Sequence, residues 1–147
     1  MANFSPLCYK NMRAKAFNNL YVAQKIIDKK DEDCCFVSIH CSYYAVLQFM
    51  KYLLAHVKKD PISYQEQELH SANGSSHENI LLEITKRMGQ NRQVERKFLQ
   101  SFNYLRNKRK LADYTTTKFT VEQCAEIKGK ADGLFSNLKS YFNDKIN

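Results

Sequence analysis

The stretch LRNKRKLADY, residues 105–114, puts four cationic side chains, one carboxylate and one phenol into ten positions. Arg106, Arg109 and Asp113 stand at i, i+3 and i+7, so on a helix they share one face. A guanidinium is a rigid fork of N–H donors that matches phosphate oxygens, and an acid four residues after Arg109 can hold such a fork in position. As an exposed pair, Arg109 and Asp113 would add only about 0.3–0.5 kcal/mol. Positioning therefore explains the spacing better than stability does. Lys108, Lys110 and Tyr114 widen the same candidate surface for a phosphate-bearing anion. The stretch contains no histidine, the side chain that most often carries protons at neutral pH.

The four histidines lie elsewhere. His77, just after Ser76, falls at a helix start, where the positive end of the dipole disfavours imidazolium; it is the candidate for proton transfer outside the basic stretch. His40, one helical turn before Tyr44, reads as a hydrogen-bonded, half-buried residue, while His56 and His70 read as helix-end and loop surface. Tyr43 and Tyr44 suit the boundary between core and rim, and Tyr114 is expected to pack against the last helix. Aromatic faces beside arginine are also what single-stranded nucleic-acid sites use for base stacking. The five cysteines, at 8, 34, 35, 41 and 124, are odd in number and follow no disulfide framework, so they read as free thiols, with Cys41 and Cys124 as small buried hydrophobes. Cys34, Cys35, His40 and Cys41 match no recognised zinc spacing, and neither a metal nor a cofactor is expected.

These residues must be positioned by helices. Four glycines and two prolines in 147 residues leave little punctuation for a turn-rich sheet, and the chain is long enough for one domain. Ser5 before Pro6 signals a helix start, and apolar spacing carries that helix to about Lys29, where the charged run 28–33 ends it. A second helix, from about Cys34 to His56, has an apolar arc so wide that it should be central. Residues 58–79 lack periodicity and contain Pro61 and Asn73-Gly74, so a flexible loop is expected over 58–76. Ser75 and Glu78 have capping-box spacing and open a short helix to about Met88. A fourth helix spans about Asn91 to Ala112, with Val94, Phe98, Phe102 and Leu105 on its apolar stripe. Thr120 and Gln123 form another capping box, opening a helix striped by Cys124, Ile127, Ala131, Leu134, Leu138 and Tyr141. The sum is an all-α, up-and-down bundle of four or five helices, a single domain over 1–147.

The net charge of +8 is concentrated. Residues 86–118 hold ten Lys or Arg against two acids, which gives +8, while the remainder balances 13 against 13. A positive ridge of this kind suits a polyanion. No run approaches the ~20 apolar residues of a membrane span and MANFSPLCYK lacks a signal peptide's apolar stretch, so a cytoplasmic protein without membrane contact is expected.

Four pieces recur in a family-like order: SYYAVLQFMKYLLA (42–55), SHENIL (76–81), RKLADY (109–114), and a last helix of the form TxxxCxxxxxxAxxLF (120–135). Together they resemble the small stand-alone HEPN-domain proteins over about residues 36–140. The resemblance implies a four- or five-helix bundle, commonly a homodimer, found in toxin-antitoxin, defence or nucleotidyltransferase-associated systems, and binding RNA or nucleotide phosphate. Many such relatives are metal-independent ribonucleases using an arginine followed, after four to six residues, by a histidine. Here six residues after Arg106 lead to Asp113, and no histidine follows Arg109. A carboxylate is a poor proton donor at neutral pH, which favours binding over catalysis. If RNA were cut, Arg106 and Arg109 would stabilise phosphorane charge, with Asp113 or His77 moving the proton. A different expectation is a non-catalytic module that docks an antitoxin or nucleotidyltransferase through its basic ridge.

Overall fold

A computed structural model describes residues 12–69, 76–89 and 91–147, and among these the fold is an all-α bundle. Six helices follow in order: α1 (Met12–Asp28), α2 (Cys35–His56), α3 (Tyr64–Leu69), α4 (Ser76–Met88), α5 (Arg92–Tyr114) and α6 (Val121–Phe142). The Ser5, Ser75 and His70 expectations fall outside the described residues.

Helix α2 is central, because every other helix of the bundle packs against it. Thirteen of its 22 residues are buried, which a helix with a single neighbour could not achieve. Small residues let α1 approach it closely: Ala16 and Ala23 have no exposed surface, and Ser38 on α2 donates to the Ala23 carbonyl at 3.0 Å. The charged run ends α1 as expected, with Lys30 in the left-handed region at φ 55° before a single 3-10 turn leads into α2.

Helix α6 forms as its pattern predicts. Thr120 accepts from the Gln123 amide at 3.1 Å and Gln123 returns a bond to the Thr120 amide at 2.9 Å, closing a capping box. Cys124, Ile127, Ala131, Leu134 and Leu138 are all buried along its inner face. At the far end the buried position falls to Phe142 rather than Tyr141, whose hydroxyl donates to the Arg87 carbonyl.

Two expectations are corrected. Residues 58–69 are not a structureless stretch: Arg87 donates to the carbonyls of Lys59 at 2.7 Å and Asp60 at 2.5 Å, and the Ile62 amide bonds to Leu54. Val57 forms an isolated antiparallel bridge with Ile146, and α3 then forms, fixed by the buried Gln67 donating to Lys51 and Ile62 carbonyls at 3.0 and 2.9 Å. Val94 is 43% exposed because the α5 stripe outruns its neighbours at that end. One continuous apolar cluster joins α1, α2, α4, α5 and α6. Among the described residues no helix is long and apolar enough to cross a membrane.

Candidate functional site

The buried stripe of α5 is Phe98, Phe102, Leu105, Arg109 and Ala112, with steps of four, three, four and three. Arg109 thus occupies a core register and is 6% exposed. Its guanidinium carbon lies 4.8 Å from the centre of the Tyr43 ring, 5.5 Å from Tyr114 and 5.8 Å from Tyr44. Aromatic π-faces attract a cation without supplying negative charge, so this cage offsets only part of the cost of burying it. Nη1 donates to the Tyr114 hydroxyl at 3.1 Å and stands 3.7 Å from Asp113, whereas the buried Nε has no hydrogen-bond partner. The expected exposed pair is therefore a buried arginine beside a half-buried acid. Tyr114 does not pack on α6; it is 74% exposed and covers the guanidinium from outside.

Asp113 does not serve Arg109 alone. Its two carboxylate oxygens lie 3.0 and 2.9 Å from Nδ1 of His40, which reaches across from α2. His40 is exposed rather than half-buried, and its ring lies 4.5 Å from that of Tyr44 one turn further along α2. A carboxylate only accepts, so Nδ1 carries the hydrogen and donates it to Asp113.

A second histidine meets the other side of the same tyrosine pair. His77 stands three and four residues before the buried Ile80 and Leu81, so it turns toward α2, where its Nδ1 lies 2.8 Å from the Tyr43 hydroxyl. Burial, followed by the charges of Lys51, Arg109 and Arg106, pushes the His77 ionisation down from 6.5 to about 4. Burial also raises the Tyr43 ionisation, against the opposing pull of Arg109 and Arg106. A neutral phenol therefore donates to a neutral imidazole. The expected suppression of imidazolium holds, but its main cause is desolvation inside the bundle rather than the helix dipole.

The structure thus brings Arg109, Asp113, Tyr114 and His77 to one crossing of α2, α4 and α5, with Arg106 near enough to act on both His77 and Tyr43. No family model, curated protein or solved structure matches the chain. Lys110 is exposed one position past Arg109. Lys108 stands apart: residues two apart on a helix point in nearly opposite directions, and its ammonium sits 5.4 Å from the Tyr104 ring, which Lys130 of α6 also approaches. Arg87 is likewise drawn out of the positive ridge by its carbonyl partners and by Glu83 at 3.8 Å.

His40, like Arg109 and Tyr114, lies elsewhere than its spacing predicts. Its position one turn before Tyr44 shows that the two share a rim of α2, but its pairing with Asp113, 73 residues away, depends on how α2 and α5 cross. Among the described residues, no cluster of three or more His, Cys, Asp or Glu is arranged to hold a metal ion. The cysteines among them are free thiols, with Cys34 exposed and Cys35, Cys41 and Cys124 buried.

Proposed function

We propose that this chain is a HEPN-like bundle that binds RNA or nucleotide phosphate on the face where α5 crosses α2. The supporting observation is the incompletely hydrogen-bonded guanidinium of Arg109 beneath a rim of cations. It pairs with Asp113 at 3.7 Å, its Nε is unpartnered, and three phenol rings surround it. A buried cation costs several kcal/mol to desolvate, which that pairing offsets only in part. Arg109 is too buried to contact a strand itself and holds Tyr114 in place behind the surface. Arg106, half-buried, and Lys110, exposed, are the groups that meet phosphate oxygens, and the exposed face of Tyr114 is a platform for a base.

Fluorescence anisotropy with a labelled single-stranded RNA tests this reading. Each phosphate contact contributes about 0.7 to the slope of log affinity against log salt, so replacing Arg106 and Lys110 together by alanine should flatten that slope by about 1.4. Lys139→Ala, which removes one positive charge beside Phe17 and Phe135, should leave the slope unchanged. Equal slopes for all three proteins would remove the reading. A wild-type affinity that ignores salt would favour the docking of an antitoxin or nucleotidyltransferase partner instead. A homodimer is part of the HEPN-like reading, and sedimentation as a monomer at micromolar concentration would remove that part alone.

A further inference from the structure

A cavity of about 660 Å³ opens at the far end of α2 from His40, where the segment after α2 runs beside the one after α6 and both meet α4. Volumes of this size hold small organic molecules. Val57 and Phe142 are 4% and 1% exposed, so they form an apolar base. The rest of the lining is charged: Lys58, Lys59, Lys86, Arg87 and Lys145 stand against Asp60, Glu83 and Asp144, five cations to three acids and a net charge of +2. Lysine stems cover apolar surface while their ammonium groups stay in water, so they extend the apolar lining and leave the positive charge at the mouth.

The walls are braced by the protein itself. Arg87 donates to the carbonyls of Lys59 and Asp60 and holds Asp60 in the left-handed region at φ 50°, a conformation unfavourable for a residue with a Cβ. On the other wall the Lys58 amide donates to the Lys145 carbonyl at 2.8 Å, and the Lys58 ammonium to the Asp144 carbonyl at 3.3 Å. Three helices end around the cavity, and open carbonyls at helix C-termini would repel an anion. Carbonyls at each of these ends are already taken. Those of Leu54 and His56 accept from the Ile62 and Asn147 amides at 2.8 and 3.1 Å, and that of Arg87 from the Tyr141 hydroxyl. Those of Tyr141 and Phe142 accept from the Lys145 ammonium and amide at 2.8 and 3.0 Å. What is left over is mainly cationic. Among the described residues the side chains of Lys59 and Lys86 make no hydrogen bond or ion pair, and the buried Nε of Arg87 has no hydrogen-bond partner, only Glu83 at 3.8 Å. Against them stands the single unpaired carboxylate of Asp60.

We propose that this cavity binds a small amphiphilic anion, a hydrocarbon body with one carboxylate head. The body lies against Val57, Phe142 and the lysine stems, and the head meets the ammonium groups of Lys59 and Lys86. A wholly polar anion would gain nothing from the apolar base, and a cationic amphiphile would meet like charge at the mouth. The site lies apart from the α5 face proposed to bind RNA and does not depend on it.

The test titrates the full chain with decanoate, decanol and decyltrimethylammonium by isothermal calorimetry, and locates the bound molecule from backbone amide NMR shifts. Decanoate should saturate a single site and move the amides of Val57, Lys86 and Lys145 while leaving those of His40 and Asp113 in place. Decanol, with the same body and no charge, should bind at least about tenfold more weakly, and the quaternary ammonium should not bind. Lys59→Ala combined with Lys86→Ala, both at exposed positions, should weaken decanoate by about tenfold without lowering the melting temperature. Lys110→Ala on α5 should leave decanoate affinity unchanged. The inference is overturned by decanoate that fails to saturate, by shifts centred away from the cavity, by decanol or the quaternary ammonium binding as tightly as decanoate, or by undiminished affinity in the double variant.

Discussion

The neutral state of His77 makes the fold sensitive to acid in a window that can be calculated. Folded, the imidazole ionises near 4; in the unfolded chain it ionises near 6.5. Between those values the unfolded chain binds more protons, so stability falls as pH drops, whereas above 6.5 the group is neutral in both states and adds no pH dependence. At about 1.36 kcal/mol per pH unit the whole displacement corresponds to about 3.4 kcal/mol, and at about pH 4.5 the ceiling is about 2.5 kcal/mol. His77 is only half-buried, so solvent screening reduces the expected loss to about 1 kcal/mol. The assay is urea denaturation of wild type and His77→Gln at about pH 7.5 and about pH 4.5. Carboxylates titrate in the same range but do so in both proteins, so the difference between them isolates the imidazole. Glutamine can still accept from Tyr43, which preserves the packing. The wild type should lose about 1 kcal/mol more than the variant on acidification. Parallel losses, or an imidazole carbon resonance that titrates near 6.5 in the folded protein, would refute the claim that burial and the cations on α2 and α5 hold this group neutral.

Other substitutions probe the remaining elements. Phe102→Ala removes a fully buried ring packed 5.6 Å from Tyr43 and should cost about 3–5 kcal/mol in calorimetry or denaturant unfolding. Thr120→Ala breaks the capping box of α6 and should cost about 1 kcal/mol, with less loss for Thr120→Ser. Arg109→Met keeps the length of the side chain but removes the cation from Asp113 and from the three tyrosine rings; it should lower stability by up to about 3–5 kcal/mol in denaturant unfolding, the range for removing one partner of a buried pair. Unchanged or raised stability would show that the pair and the ring contacts do not repay the desolvation of the guanidinium.

The bundle was legible because most of its helices announce themselves locally. The α6 stripe and its Thr120–Gln123 cap are read directly from spacing, and the wide apolar arc of α2 correctly marks it as central. Helix α3 was missed because Pro61 and a polar composition masked a signal that was present: Ser63 and Glu66 have capping-box spacing, and the Ser63 hydroxyl accepts from the Glu66 amide at 3.2 Å. Gln67 then anchors the helix through contacts that no local pattern contains. Within the candidate site, the side-by-side placement of Arg109 and Asp113 follows from helical geometry, whereas the burial of Arg109 was readable but overlooked. Phe98, Phe102, Leu105, Arg109 and Ala112 step as regularly as any core stripe, and the charge of the arginine disguised its register. The His40 contact was not readable in this way, since it is made by two helices whose relative rotation no single segment specifies.

The way Asp113 divides its contacts ties the bundle together at the proposed binding face. Its carboxylate sits 3.7 Å from the Arg109 guanidinium and within 3.0 Å of His40. Coulomb attraction changes little between those distances, so Arg109 and Asp113 form a pair whose charges largely cancel, and the exposed charge of this face belongs to Arg106 and Lys110. The same carboxylate fixes the orientation of an exposed imidazole on α2. One acid thereby holds a buried cation on its own helix and a histidine on another, a link between α5 and α2 that no local pattern on either helix contains.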